Sequence, residues 1–276
     1  MPFLAVAHPY DFAVSTERFR AFGPDRANLW HEGGLHRIVA GREVRIEPAP
    51  GGVIVEPLDA GIEPVVRKLL GLEFELEPFA RFAAGDPVLS RLVPKLAGFR
   101  PPIAPDPFES LVSSITAQQV SLHAAFAIRN RLIERYGEGG EHAYAFPTAM
   151  RIAEATESDL VALGFSRRKA EYVVGLARAE PDYAELARLP DEEVKARLVA
   201  IRGLGEWTAD WFLARHLARQ RAWPAGDLGV RKAVAAFYRG GDAVSTQEVR
   251  SMGARFDPFQ NLTAHYLLTG LRVVGA

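Results

Sequence analysis

The sequence predicts an α+β fold: a small N-terminal lobe with an antiparallel β-sheet and flanking helices in residues 1–84, then a mostly α-helical region in residues 85–276. Apolar and polar residues alternate between Val44 and Val55 on both sides of the sequence PAPGG, which is typical of two strands joined by a turn. Beyond the proline-rich segment 99–107, apolar residues recur at helical spacing after capping residues, which predicts a succession of helices.

The N-terminal lobe carries further signals on either side of this strand pair. Residues 37–40, which precede Gly41, predict another short strand, and helical spacing predicts flanking helices at residues 16–22 and 63–70. Three aromatic side chains of the first segment are expected mainly in the core of this lobe, with a role in a binding pocket as the alternative for the last two: Tyr10, Phe12 and Phe19.

The helical region starts with a strong capping signal. Asp106, followed by proline and glutamate, predicts the start of a helix, and Ser121 is the expected cap of a second helix over residues 122–136. Residues 117–120 would then form the turn between the two helices. Two glutamines at its tip are, from composition alone, expected to be solvated surface: Gln118 and Gln119.

The stretch 198–215, LVAIRGLGEWTADWFLAR, predicts two helices joined by a tight turn, because two glycines interrupt the apolar spacing. Gly203 and Gly205 leave backbone N–H groups uncovered where the second helix begins, and the positive end of that helix suits a phosphate oxygen. The turn is therefore a candidate for gripping a nucleic-acid backbone; an ordinary helical hairpin is the alternative. Candidate backbone contacts are Gly203, Leu204, Gly205, Thr208 and, further along the chain, Arg231.

Asp227 lies 22 residues after Gly205, directly before an apolar helical run. By itself it is typical of a helix N-cap. A carboxylate on a helix N-terminus beside a phosphate-binding turn is also held in place to face a developing positive charge, so Asp227 is the candidate catalytic residue.

These motifs resemble the helix-hairpin-helix DNA glycosylases, in which an aspartate follows a glycine-rich hairpin, and within them the AlkA-type 3-methyladenine-DNA glycosylase II. The resemblance extends from HPYDF at residues 8–12 through ITAQQVS at residues 115–121 to the hairpin and Asp227. It implies that residues 85–276 form a helix-hairpin-helix glycosylase domain. It also implies a base excision repair enzyme that flips alkylated purines (3-methyladenine, 7-methylguanine) out of DNA and hydrolyses their N-glycosidic bonds, leaving an abasic site.

Trp207 occupies the hairpin position where bifunctional glycosylase/lyases of this superfamily carry a lysine that forms a Schiff base with the sugar. Without that amine, the resemblance implies a monofunctional enzyme in which Asp227 stabilises the oxocarbenium-like sugar and orients water. Two alternatives remain: a bifunctional glycosylase/lyase for oxidised purines, and a non-catalytic helix-hairpin-helix DNA-binding protein. Trp207 disfavours the first, and Asp227 with the paired tryptophans disfavours the second.

Trp207 and Trp211 are four residues apart, so they share one face of the second hairpin helix. Indole faces attract cations, so stacking there would favour a positively charged alkylated base; a core role is the alternative. The resemblance places both tryptophans in the base pocket, with Leu268 aligned at its third side and Tyr266 nearby.

The resemblance also assigns the turn at residues 117–120 to the wedge that fills the space left by the extruded nucleotide. Gln119 is the aligned residue, with Gln118 beside it. The compared family member has an apolar residue there, whereas glutamine can both fill the space and hydrogen-bond the orphaned base.

Composition limits the class of protein. The 276 residues carry a net charge of −1, so DNA binding must come from a local patch and not from a global basic field. There is no cysteine, which excludes disulfides, thiol catalysis and an iron–sulfur cluster. The expected chemistry requires no metal and no cofactor. We expect a cytoplasmic monomer without a membrane span, whose partner is double-stranded DNA containing damaged bases.

Overall fold

The computed structural model describes residues 2–275 and contains a five-stranded antiparallel sheet in the order β1-β5-β4-β3-β2. The strands are β1 (Phe3–Ala5), β2 (Leu29–His31), β3 (Gly34–Val39), β4 (Arg42–Ala49) and β5 (Gly52–Glu56). The predicted strand pair is confirmed, because Ile46 of β4 lies opposite Val55 of β5. Their alternating apolar side chains are fully buried, as the two-residue period requires: Val44, Ile46, Val53 and Val55.

Helices make up most of the remaining chain. The first are α1 (Phe12–Ser15), a 3-10 turn (Glu17–Phe19), α2 (Glu63–Leu69), α3 (Leu76–Ala83) and α4 (Leu89–Lys95). The next are α5 (Pro107–Ala117), α6 (Leu122–Tyr136), α7 (Ala149–Ala153), α8 (Glu157–Ala162), α9 (Arg167–Ala179) and α10 (Tyr183–Leu186). The last are α11 (Asp191–Val199), α12 (Glu206–Arg215), α13 (Leu228–Tyr238), α14 (Thr246–Met252), a 3-10 turn (Gly253–Phe256) and α15 (Gln260–Val273).

Helix starts followed the capping residues closely. Helix α6 has the predicted bounds, and Asp106 accepts the N–H of Glu109 at 2.7 Å at the start of α5. The helix predicted at residues 16–22 is wrong. Asp11 accepts the N–H of Val14 and starts α1 four residues earlier, so this cap decides the helix start and apolar spacing does not.

Two hydrophobic clusters divide the fold. One packs the sheet against α1 and α2 and extends to Leu70, and the other begins at Phe74 and fills the helical region. Helix α3 belongs to the second cluster, because Phe79 packs on Tyr266 of α15 with ring centroids 4.8 Å apart. The two clusters thus divide before α3, and the domain boundary predicted at residue 84 stays a prediction. No helix within residues 2–275 has the length and hydrophobicity needed to cross a membrane.

Candidate active site

A cavity of about 1040 Å³ opens between the N-terminal lobe and the helical region. Its walls come from the first 3-10 turn, the turn between α5 and α6, the α11–α12 hairpin, the start of α13 and the end of α15. This volume lies at the upper end of the range that proteins use for small-molecule ligands. The cavity brings together residues from the whole chain, including Arg18, Gln119, Trp207, Asp227 and Leu268.

Asp227 is the N-cap of α13 and lines this cavity. Its Oδ1 accepts the backbone N–H of Val230 at 3.0 Å. Its Oδ2 accepts two indole N–H groups, from Trp207 at 2.8 Å and from Trp211 at 3.0 Å. Within residues 2–275, no cationic side chain hydrogen-bonds to this carboxylate. Neutral donors and the positive end of a helix therefore hold Asp227 in place without pairing its charge.

The tryptophan pair differs from the expected stacking platform. Trp211 is only 3% exposed, and the guanidinium of Arg215 lies 3.5 Å from the centroid of its ring. His265 packs edge-on against the same indole at 5.7 Å. A cationic base cannot stack on Trp211 without displacing Arg215, so the cation site of this ring is already filled. Both tryptophans serve the carboxylate, and only Trp207 remains half-buried on the cavity wall.

Of the five arginines within residues 2–275 that line the cavity, three form one group: Arg18, Arg215 and Arg272. Burial and the neighbouring Arg272 charge lower the pKa of Arg18 to about 10, and burial with Arg18 lowers the pKa of Arg215 well below its ordinary value. In both groups burial outweighs the attraction of Asp227, which raises the pKa. The three residues come from a 3-10 turn, α12 and α15, so no local pattern connects them. In the sequence, only the position of Arg215, one helical turn after Trp211, indicated a contact between these two side chains.

A buried ionic network lines another part of the cavity. Arg129 of α6 donates to Asp25 and to Glu109, at 2.5 Å in each case, and Arg37 of β3 donates to Glu109 at 2.6 Å. Burial alone raises the pKa of Asp25 and of Glu109, but the arginine charges and hydrogen bonds outweigh it and lower both pKa values below their ordinary range. The network joins the N-terminal lobe to α5 and α6.

The hairpin turn has the geometry that its glycines predict. Gly203 has a φ of 94°, and a Cβ there would lie 2.2 Å from the ring of Tyr172, so only glycine fits. Gly205 is the N-cap of α12 without a side-chain cap, with open space where a Cβ would lie. Leu204 and Thr208 are buried beside it. The uncapped start of α12 keeps the arrangement expected of a phosphate site, and these backbone contacts stay a prediction.

The two glutamines between α5 and α6 have different surroundings. Gln118 Nε2 donates to the carbonyl oxygen of Gly203 at 3.0 Å, so this side chain contacts the hairpin. Gln118 also lines the cavity, and its place in the wedge stays a prediction. Gln119 is exposed on the rim of the cavity with a φ of 54°. Two exposed apolar side chains follow it, Val120 at 40% and Leu122 at 41% exposure. These had no sequence signal beyond their closeness to a turn.

The other predicted pocket residues divide into two groups. Phe19 and Leu268 line the cavity. Phe12 is instead buried in the core of the N-terminal lobe, and Tyr266 is buried with its hydroxyl donating to the carbonyl oxygen of Phe99 at 2.9 Å. Phe12 therefore has the core position expected for it and not the alternative place in the pocket, and Tyr266 also lies outside the pocket. Tyr266 and Leu268 are two residues apart on α15, so they face different directions.

Arg231 also differs from its predicted role as a DNA contact. Its Nε and one terminal nitrogen donate to the carbonyl oxygen of Val244 at 3.1 and 2.9 Å, which ties α13 to the segment before α14. Lys232, the next residue, is exposed and lines the cavity. The exposed cation on this helix is therefore Lys232.

Comparisons with known proteins bear on this site. The model of the HhH-GPD superfamily, base excision DNA repair proteins, matches residues 112–255. The chain is 28% identical over 210 residues to a DNA-3-methyladenine glycosylase of Bacillus subtilis, which covers 73% of this chain and 69% of that protein. It is 32% identical over 179 residues to DNA-3-methyladenine glycosylase 2 of Escherichia coli, which covers 62% of this chain and 61% of that protein.

A solved structure extends the likeness to the full length of the chain. A solved 3-methyladenine DNA-glycosylase from Archaeoglobus fulgidus has a TM-score of 0.90 and 28% identity to the chain, with 100% of both chains covered. That likeness includes the N-terminal lobe, which the family model does not reach. The chain therefore belongs to the HhH-GPD superfamily of base excision DNA repair proteins and, within it, to the AlkA-type DNA glycosylases.

Proposed function

We propose that the protein is a monofunctional DNA glycosylase that flips alkylated purines out of double-stranded DNA and hydrolyses their N-glycosidic bonds. The observation that carries the proposal is the hydrogen bonding of Asp227, whose carboxylate is held at the cavity by Trp207, Trp211 and the backbone of α13. The names of the relatives, DNA-3-methyladenine glycosylases, support an alkylated purine as the substrate.

The bond between sugar and base breaks most easily when the positive charge that forms on the sugar is stabilised. A fixed anion does this without reorganising during the reaction. Asp227 is suited to the role because its hydrogen-bond donors are neutral and leave its charge unpaired. The C–N electron pair leaves with the base, water adds to the sugar carbon, and Asp227 accepts a proton from that water. The products are a free base and an abasic site.

A lyase step would need an amine that attacks the sugar carbon. Trp207 holds the hairpin position where such an amine would lie, and its indole N–H is committed to Asp227. Lys232 is the lysine on the cavity wall, five residues beyond Asp227 and exposed. It is the residue to replace if strand cleavage is observed.

Arg18 and Arg215 on the cavity wall affect the choice among alkylated purines, whereas Arg272 is paired with Glu17 at 2.6 Å. Guanidinium groups donate hydrogen bonds and accept none, so they favour a base that presents an acceptor at its edge. Both 7-methylguanine and 3-methyladenine carry positive charge in DNA, and charge repulsion therefore does not distinguish them. Guanine presents a carbonyl oxygen where adenine presents an amino group. We therefore expect 7-methylguanine to be preferred over 3-methyladenine.

The test is single-turnover excision from duplexes that each contain one lesion: 7-methylguanine, 3-methyladenine or 8-oxoguanine. Released base is measured directly, and strand cleavage is measured with and without subsequent alkali. We expect release of the alkylated bases, with strand breaks only after alkali. Strand breaks without alkali that disappear in Lys232→Gln would establish a lyase. Binding to DNA without release of any base would support the non-catalytic alternative.

A further inference from the structure

A second cluster of polar side chains lies where the loop between α6 and α7 meets the sheet. Three of the seven histidines gather there: His31 on β2, His36 on β3 and His142 on the loop. The rings of His31 and His142 are stacked with centroids 4.3 Å apart, and the ring of His36 lies 4.8 Å from that of His142. None of the three lines the cavity, so base excision does not account for them.

His36 has a free ring nitrogen in a buried position. The residue is 5% exposed, and its Nε2 has no hydrogen-bond partner. Its Nδ1 lies 2.8 Å from Oε1 of Glu43, and this carboxylate holds the ring proton on Nδ1. The lone pair of Nε2 is thereby left unused, although buried polar atoms normally find a partner. A carboxylate that orients a histidine in this way is the usual second layer around a metal ligand.

The loop between α6 and α7 is hydrogen-bonded to the carboxylate of Glu43. Glu43 Oε2 accepts the backbone N–H of His142 at 2.9 Å, and a Cβ at Gly140 would lie 2.3 Å from that oxygen, so the close approach requires glycine. One atom each of His36, Glu43 and His142 lie within 4.8 Å of one another. A tetrahedral zinc ion needs about 3.4 Å between its ligand atoms. Rotation of the half-exposed His142 ring provides this adjustment.

The local charge favours a cation. Each ring has a carboxylate oxygen beside it: Glu32 at 3.7 Å from His31, Glu43 at 2.8 Å from His36, and Glu141 at 3.7 Å from His142. Imidazole nitrogens with carboxylates suit Zn²⁺ and the neighbouring first-row ions, whereas Mg²⁺ and Ca²⁺ prefer oxygen ligands throughout.

We propose that His36 and His142 bind a divalent transition-metal ion, with Zn²⁺ as the best fit, that Glu43 orients His36 for this purpose, and that His31 packs against His142 beside the site. The ion joins β3 of the N-terminal lobe to the loop between α6 and α7. Its role is structural, and the glycosylase reaction proceeds without it.

The experiment uses the untagged full chain after EDTA treatment and gel filtration. Zn²⁺ is titrated by calorimetry, and Co²⁺ is added separately because histidine ligation gives it a characteristic visible absorption. We expect one ion per chain and a rise in Tm of about 5 °C with Zn²⁺ at 100 times its Kd. His142→Asn removes a ligand and should weaken binding at least 10-fold, and Glu43→Gln should weaken it by about 10–100-fold. His8→Asn replaces an exposed histidine outside the cluster and should bind as the wild type does.

The decision rests on those variants whose Tm in EDTA matches that of the wild type, so that a folding defect is not mistaken for a lost ligand. Absence of saturable Zn²⁺ binding by the wild type overturns the proposal. So does binding that His142→Asn, Glu43→Gln and His8→Asn all retain equally, because the ion would then lie elsewhere. Excision of an alkylated base at an equal rate in EDTA and in Zn²⁺ supports the structural role, whereas dependence on Zn²⁺ contradicts it.

Discussion

The cavity wall contains carboxylates of two kinds, which differ in the charge of their hydrogen-bond donors. Asp25 and Glu109 are paired directly with Arg37 and Arg129, whereas Asp227 receives its hydrogen bonds from two indoles and a backbone N–H. A carboxylate neutralised by arginine has little field left for a nearby sugar. One held by neutral donors keeps its field while staying equally well fixed in place. The choice of hydrogen-bond donor, cationic or neutral, thus separates the structural carboxylates from the proposed catalytic one.

The largest expected effect is on the ionic network. Arg129→Met leaves Asp25 and Glu109 buried with fewer partners, and breaking such a pair should lower the free energy of unfolding by about 3–5 kcal/mol. Urea unfolding at pH 7.5 measures this. The control is Arg26→Met, which breaks an ion pair with Glu134 whose two side chains are 39% and 40% exposed. That change should cost less than about 1 kcal/mol, and equal losses would contradict a structural role for the network.

The pH dependence of stability in Arg129→Met tests the same ionic network. The pKa values of Asp25 and Glu109 lie below their unfolded values of about 3.9 and 4.3, so pairing stabilises the folded protein above those values and is lost as pH falls through the folded pKa values. In Arg129→Met, burial without this cation raises the pKa of Asp25 instead. The deficit of the variant should therefore shrink between pH 7.5 and pH 4.5. A constant deficit would show that lost packing, and not unpaired charge, is the cause.

Asp227→Asn removes the carboxylate charge that is held by neutral donors. Single-turnover excision should fall by about 100-fold or more, equivalent to at least about 2.7 kcal/mol in the barrier. The amide cannot accept from both Val230 and the two indoles, so the free energy of unfolding should fall by about 1–2 kcal/mol. Asp182→Asn, the same change at the N-cap of α10, should leave the rate unchanged. An Asp227→Asn rate within a few-fold of the wild-type rate would exclude Asp227 as the stabilising charge.

The sequence predicted those features that depend on neighbours in the chain. Asp227 caps α13 through a contact three residues away, and Gly203 is required by the conformation of its own turn. The indole bonds to Asp227 span 16 and 20 residues, and the arginine over Trp211 meets partners from the first and last segments of the fold. Such contacts depend on how whole helices and strands pack against one another. Rules about capping residues and apolar spacing describe only neighbours in the chain and do not predict that packing.

Aromatic type was a poor guide for a related reason. The resemblance placed Tyr266 near the pocket, and the pocket was the alternative for Phe12, yet both are buried in the cores. Small rotations of a helix decide which of two nearby side chains faces a cavity. Leu268, two residues beyond Tyr266, has that position on α15.

Trp207→Phe tests whether the neutral donors matter to the reaction. A smaller aromatic ring replaces the indole and one hydrogen bond to a charged oxygen is lost, which is worth about 1.5 kcal/mol and should slow single-turnover excision by roughly 10-fold. Trp223→Phe is the matched change away from the cavity, because its indole donates to the carbonyl oxygen of Val249 at 2.8 Å. It should affect stability alone. An unchanged rate in Trp207→Phe would mean that Trp211 and Val230 suffice to hold the carboxylate.

The smallest expected effect concerns the rim of the cavity, where Gln119 is exposed at the turn between α5 and α6. Opening a stacked base pair costs a few kcal/mol, and a side chain that fills the vacated space returns part of it. Val120 and Leu122 are exposed nearby and can share this role, so Gln119→Ala should slow excision from duplex DNA by only about 5-fold.

The duplex and single-strand rates together identify a wedge. A single strand has no pair to hold open, so Gln119→Ala should excise the same lesion from it at the wild-type rate. If the side chain acts by filling the vacated space, Gln119→Leu should restore the duplex rate. If it acts by hydrogen bonding to the orphaned base, Gln119→Leu should leave the duplex rate low. Gln247→Ala, an exposed glutamine on α14, is the control and should change neither rate. If Gln119→Ala slows excision equally on both substrates, Gln119 acts by shaping the cavity around Asp227 and not by holding the DNA open.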